Sequence, residues 1–274
     1  MSSTAAAIRP AVSERPQRSP LAWAVSDTTT IAWRNLITLK RLPQLLIFAT
    51  VQPVIFVLMF RYVFGGAIKV PGFPYVDYLM PGVFAQTVAF GAIQTGIGLA
   101  EDLHKGLIER FRSLPMARSA VLAGRTLADL VRNVFVVLLM LAIGYLVGFR
   151  IHTDVIGLIA GMAVMLLFGF SLTWIFAIIG LSTSNAETAQ AASFPILAPL
   201  VFASSAFVAV SSMPGWLQAF AKNQPVSVAI DAVRSLVLGG TYANNGKVLA
   251  SLAWSIGIIA VFAPLAIRKY RQAA

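Results

Sequence analysis

The sequence predicts an all-α membrane protein. Six transmembrane helices are expected, with an N-terminal interface helix, a cytoplasmic helix between spans 2 and 3, and an extracellular re-entrant helical hairpin before span 6. Three observations carry this. Hydrophobic residues make up 58% of the 274 residues and charged residues 11%, where a soluble domain carries about 25% charged. The bulk solvent for most of the chain must therefore be lipid. The apolar runs are continuous rather than alternating, which excludes an outer-membrane barrel. Six runs reach the roughly 20 residues that a bilayer core requires. This balance excludes a soluble enzyme, a disordered protein and a nucleic-acid-binding domain, despite the net charge of +11.

The chain divides into a disordered cytoplasmic tail (1–20), an interface helix (21–41), a six-span domain (42–267) and a short cytoplasmic tail (268–274). Residues 1–20 are polar and lack the apolar core of a signal peptide. In 21–41, Trp23, Trp33, Leu36 and Ile37 mix with Arg34, Lys40 and Arg41, a composition that suits a helix lying in the membrane interface. The spans are placed at Leu42–Phe64, Tyr78–Ala100, Thr126–Phe149, Val155–Leu181, Ala189–Val210 and Val248–Ile267. Asp129 is expected to stand alone near the inner end of span 3.

Charge sets the orientation, because basic residues stay on the cytoplasmic side. With both termini inside, 15 of the 21 Lys and Arg fall on the cytoplasmic side. The other six are Arg61, Lys69, Arg150, Lys222, Arg234 and Lys247. The basic balance then needs no acidic ligand.

Two segments are neither spans nor simple loops. From Glu101 to Pro115, Leu103, Leu107, Phe111 and Leu114 recur at helical spacing, which gives one apolar face. The acids come first and the arginines last, as the helix dipole favours, and Pro115 stops the helix. The pattern fits both a helix resting on the inner leaflet and a docking helix for a cytosolic protein. Beyond span 5, Ser211–Gly240 contains Trp216, Pro225 and an apolar run from Val226 to Leu238 that carries Asp231 and Arg234. That run is too short and too charged to span. It fits a hairpin dipping into the outer leaflet, with Asp231 and Arg234 paired at i and i+3, or an amphipathic surface helix.

Catalytic chemistry has no foothold. The chain has no cysteine and only two histidines, His104 and His152, so no metal site is expected. The nearest approach to a phosphate-binding loop, Gly240 to Lys247, is one residue too long and has no Ser or Thr after its Lys. Gly169-Phe170-Ser171 lacks a histidine on another span. No ionisable group is expected at mid-membrane, which argues against a proton-coupled carrier. The spans carry uncharged polarity instead. Gln86, Phe90 and Gln94 are spaced by four in span 2, and Phe194, Val201 and Ser205 fall roughly on one face of span 5. Amides in lipid need partners, so these residues fit either interhelical hydrogen bonds or a pathway for a bulky amphipathic solute.

Taken together, the chain resembles the membrane subunit of an ABC type-2 exporter, of the daunorubicin-resistance permease family, from about Trp33 to Tyr270. The resemblance rests on Glu109-Arg110 followed by Leu114-Pro115-Met116-Ala117-Arg118, Gly124-Arg125 and Asp129. It rests also on Pro214-Gly215-Trp216 followed by Asn223-Gln224-Pro225-Val226-Ser227 and Asp231-Ala232-Val233-Arg234, and on the order of elements. It implies that the 101–115 segment is a coupling helix for a separate ATPase subunit, which binds ATP and Mg. It implies that two permease subunits, identical or not, form a pathway lined by spans 2 and 5. The substrates it implies are drugs or complex lipids, moved out across the cytoplasmic membrane. The rival readings are a stand-alone channel, a secondary carrier and an ATPase-anchored protein that transports nothing.

Overall fold

Helix is the dominant element in the computed structural model, which describes residues 20–41, 43–68, 70, 72–107 and 118–273. Nine α-helices are found among them: α1 (Pro20–Arg41), α2 (Pro43–Leu58), α3 (Tyr75–His104), α4 (Arg118–Val147), α5 (Val155–Gly180), α6 (Ala186–Phe202), α7 (Gly215–Asn223), α8 (Pro225–Val237) and α9 (Asn245–Ala273). No strand occurs among the described residues. The helix starts follow local chemistry. The Asp154 carboxylate accepts the Gly157 N–H at 2.8 Å and starts α5, and the Asn185 side chain accepts the Thr188 N–H at 2.8 Å and starts α6. Each satisfies one of the donors a helix leaves open at its N-terminus. Gly148, at φ +105°, ends α4 where only glycine adopts that backbone without strain.

Four helices are long and apolar enough to cross a bilayer: α3, α4 from Ala120, α5 and α9. The expected span 1 coincides with α2 and a π-helical turn at Met59–Phe64, which begins six residues past the internal Pro53. The expected span 5 is corrected. Helix α6 stops at Phe202 rather than Val210, and its 17 residues reach about 25 Å, short of the roughly 30 Å core. Pro195 and Pro199 remove two backbone donors inside it. The Ser204 hydroxyl then donates back to the Val201 carbonyl at 2.5 Å and accepts the Ala206 N–H at 3.1 Å, ending the helix. Span 3 is also corrected. Helix α4 begins at Arg118, well before Thr126, so Asp129 and Arg132 sit near its middle rather than in its first turns.

Helix α3 is the centre of the bundle. It is the least apolar of the four long helices and by far the most enclosed, whereas α4 and α9 are more apolar and mostly uncovered. Helix α5 crosses it at backbone contact: a Cβ added to Gly180 would run into the Gly96 carbonyl, and one added to Gly96 into that of Phe176. Small residues at such a crossing let two helices gain dispersion contacts that lipid tails cannot supply. Helix α8 lies against α3, α5 and α9, and its Val226, Ala229, Ile230, Val233 and Val237 join the core. Helix α1 packs along the first half of α4, with Ile31 over Gly124 and Trp33 facing outward.

Candidate functional site

The segment expected to form the hairpin folds as two helices, α7 and α8, joined at Gln224-Pro225. Pro225 takes the first position of α8, where its missing N–H costs nothing. The Gln224 side chain caps the helix: its Oε1 accepts the Val226 N–H at 3.0 Å, and its Nε2 donates to the Leu200 carbonyl at 2.9 Å and to Ser227 Oγ at 3.1 Å. Trp216, on α7, is exposed.

Asp231 and Arg234 do pair, Nη1 to Oδ1 at 3.3 Å. Arg234 does more than pair. It is 1% exposed, donates to the Tyr78 carbonyl from Nε at 3.1 Å and from Nη2 at 2.9 Å, and reaches the carbonyls of Ser205 at 2.7 Å and Ala206 at 3.3 Å. Its guanidinium also stands 3.5 Å from the centre of the Tyr78 ring. The planar fork thus ties α8 to α3 and to the chain just past α6. Ser205 completes the knot. Its hydroxyl donates to Asp231 at 2.9 Å and its N–H to Ser227 Oγ at 3.1 Å, while Tyr78 donates to its carbonyl at 3.1 Å. Tyr75 donates to the Phe207 carbonyl at 2.8 Å. At Gly82 any Cβ would strike the Ala206 carbonyl. Lys247, from α9, stands 3.5 Å from the other Asp231 oxygen. Burial pushes the nearby Tyr242 phenol above its ordinary pKa, with Arg234 pulling it back and Asp231 adding to the rise.

A second tie was not legible. Asp77, buried in the first turn of α3, accepts the Arg150 N–H at 2.8 Å and meets His152 Nε2 at 2.7 Å. The His152 N–H and the Thr153 hydroxyl in turn donate to the carbonyls of Val237 and Leu236, at 3.0 and 2.7 Å, at the end of α8.

The proposed pathway residues divide. Phe90 and Phe194 face each other, centroids 6.0 Å apart. Gln94 is exposed and so is Phe194, whereas Gln86, Val201 and Ser205 are buried within the protomer. Neither amide atom of Gln86 has a partner among the described residues. Asp129 is not alone, contrary to expectation. It pairs with Arg132 at 3.0 Å and accepts the Thr95 hydroxyl at 2.6 Å, and Arg132 reaches the Gly91 carbonyl at 2.7 Å. An ionisable pair thus sits between the middles of α3 and α4, where none was expected. At the C-terminal end of α3, Leu103 lies in its last turn over the cluster of Leu99, Val121, Trp174 and Tyr270. Gly106, at φ +65°, turns the chain before Leu107, so the two leucines do not share one helix. Asp102 pairs with Arg125 of α4. Glu109, Arg110, Phe111, Leu114 and Pro115 lie outside the described residues.

Long apolar helices joined by buried arginine and carboxylate ties define a multi-pass helical membrane protein. Comparison with known sequences narrows the class: residues 26–238 match the ABC-2 type transporter model, and the chain belongs to that family. It is 41% identical to the daunorubicin resistance ABC transporter permease protein DrrB1 of Streptomyces coeruleorubidus, over 94% of this chain and 90% of that one. It is 31% identical to the doxorubicin resistance ABC transporter permease protein DrrC of Mycobacterium tuberculosis, over 82% and 81%. A second Mycobacterium tuberculosis permease named for doxorubicin resistance, DrrB, is 28% identical over 66% and 61%.

Proposed function

We propose that this chain is the membrane subunit of an ABC exporter. It moves a hydrophobic or amphipathic compound, a drug or complex lipid, outward across the cytoplasmic membrane, driven by a separate ATPase subunit that binds ATP and Mg. The observation that carries this is its identity, over nearly its whole length, with a permease named for daunorubicin resistance. In this reading α2 with its π-helical turn, and α6 with the chain that follows it, complete a set of six crossings, α1 lies at the inner interface, and α7–α8 dips into the outer leaflet. Both termini are cytoplasmic. Two permease subunits pair, and Phe90, Gln94 and Phe194 contribute to the pathway. An occupant there meets aromatic faces and one exposed amide, a lining that favours flat apolar compounds with few polar groups.

The segment 101–115 couples the permease to the ATPase. Leu107, Phe111 and Leu114 supply the apolar contact, and Glu109 and Arg110 its polar edge. Truncating an aromatic anchor at an interface costs about 2 kcal/mol or more, roughly a 30-fold loss of affinity. The test is co-expression with the neighbouring reading frames and, where one encodes an ATP-binding-cassette subunit, pull-down of that ATPase by wild type and Phe111→Ala at equal membrane level. Loss of recovery, with loss of substrate-stimulated hydrolysis, is expected. Equal recovery and unchanged hydrolysis would refute the coupling assignment.

A further inference from the structure

A cleft at the hairpin end of the bundle is not used by the reading above. It encloses about 480 Å³ and is lined by Lys222, Asn223, Val228, Asn244, Gly246, Lys247, Ala250 and Trp254. Its lining is sorted by polarity along α9. Lys247, Ala250 and Trp254 are at i, i+3 and i+7 and share one face. The seven helical steps from Lys247 to Trp254 rise about 10 Å, so the ammonium group marks one end and the indole the other. Lys222, from the end of α7, joins Lys247 at the polar end. The two are in contact: Lys247 Nζ donates to the Lys222 carbonyl at 3.2 Å.

The charge at that end is unbalanced. Asp231 is the carboxylate nearby, and it is held by Arg234 and by the Ser205 hydroxyl as well as facing Lys247 at 3.5 Å. The Lys222 ammonium has no hydrogen bond or ion pair among the described residues. Lys222, Lys247 and Arg234 against Asp231 leave a net excess of two positive charges, and Asn223 and Asn244 add amides. Below them lie the buried Val228 of α8 and, on α9, Ala250 and the half-exposed Trp254; α9 is mostly uncovered by the rest of the protein. A cationic occupant would be repelled, and a neutral one would gain nothing from the two ammonium groups.

We infer that this cleft binds an anionic glycerophospholipid: the phosphate between Lys222 and Lys247, and the first methylenes of an acyl chain along Ala250 and Trp254. A lipid phosphate satisfies both ends at once, and the cleft opens where such a headgroup lies. The site requires that α9 crosses the bilayer. It does not depend on the ATPase reading or on the direction of transport.

The test uses the full-length protein in nanodiscs containing either phosphatidylglycerol or phosphatidylcholine brominated on the acyl chain near the headgroup. Quenching assigned to Trp254 is the difference between wild type and Trp254→Phe. A basic residue near an anionic headgroup contributes about a five-fold preference, so wild type should favour phosphatidylglycerol by roughly 25-fold in competition between the two lipids. Lys222→Gln, at an exposed position away from the Asp231 knot, should reduce this about five-fold. Lys222→Gln with Lys247→Gln should abolish it, and the double arginine replacement should keep it. Equal quenching of wild-type Trp254 by both lipids would overturn the site. An unchanged preference in Lys222→Gln would do so too, and that variant leaves the buried ties intact.

Discussion

Arg234→Ala removes one side chain that touches three carbonyls, a carboxylate and an aromatic face. Hydrogen bonds from a charged donor are worth about 1.5–3 kcal/mol each, and a desolvated cation–π contact about 2. These terms share one guanidinium and cannot be summed. Removing one partner of a buried ion pair costs about 3–5 kcal/mol in total, because the other charge is left uncompensated. Here the lower end applies, since the Asp231 side chain is 29% exposed and keeps Lys247 beside it. At about 3 kcal/mol, and about 2–4 °C per kcal/mol for a chain of this size, the apparent Tm should fall by roughly 6–12 °C. Arg234→Lys keeps the charge but not the fork, and should lose about half as much. The assay is thermal unfolding of the purified protein in detergent, followed by intrinsic fluorescence. An alanine variant within about 1 °C of wild type would falsify the claim that this fork holds α3, α6 and α8 together.

Asp231→Ala and Arg234→Ala should be sub-additive in a double-mutant cycle of the same unfolding measurement, with a coupling of at least about 1 kcal/mol; strict additivity would mean the pair is incidental. Gly180→Val should cost about 1–3 kcal/mol or more by forcing α3 and α5 apart, while Gly66→Ala, which meets open space, should be silent. A lower yield of folded protein for both would count against the crossing as the cause. A reporter fused after Arg271 should be cytoplasmic and one at Lys222 on the opposite side; the same side for both would require an odd number of crossings between them to be wrong.

Helix identity was legible because periodicity and run length are local properties. The 13-residue run ending at Leu238 is too short to span and folds as the short helix α8, and the i,i+3 spacing of Asp231 and Arg234 signals their pairing. What escaped was partnership at a distance. The Tyr78 carbonyl lies 156 residues from Arg234 and the Asp77 carboxylate 75 from His152, and no local pattern announces either. The end of α6 escaped for a subtler reason. Apolar content continues past Phe202, but Ser204 folds back on the helix, so hydropathy alone overran it. Asp129 is misplaced because Arg125 and Asp129 in the first half of α4 look like a helix boundary, whereas Arg125 is met by Asp102 and Asp129 by Thr95, both on α3.

The central position of α3 also bears on how the protein is made. A chain is synthesised from its N-terminus, so α3 emerges before everything it will lean on except α1 and α2. Its Thr95 waits 34 residues for Asp129, its Asp77 waits 73 for the Arg150 amide, and its Tyr78 carbonyl waits 156 for Arg234. Until then the least apolar of the long helices must sit among lipids without these partners, the Asp77 carboxylate above all, at a cost that rises the deeper each group lies. The nascent α3 is therefore the weakest inserter of the four, and its residence in the bilayer becomes secure only as translation delivers α4, α5 and α8. Variants that weaken the late partners should then surface in cells as missing protein, cleared during biogenesis, before any defect in a finished transporter can be observed.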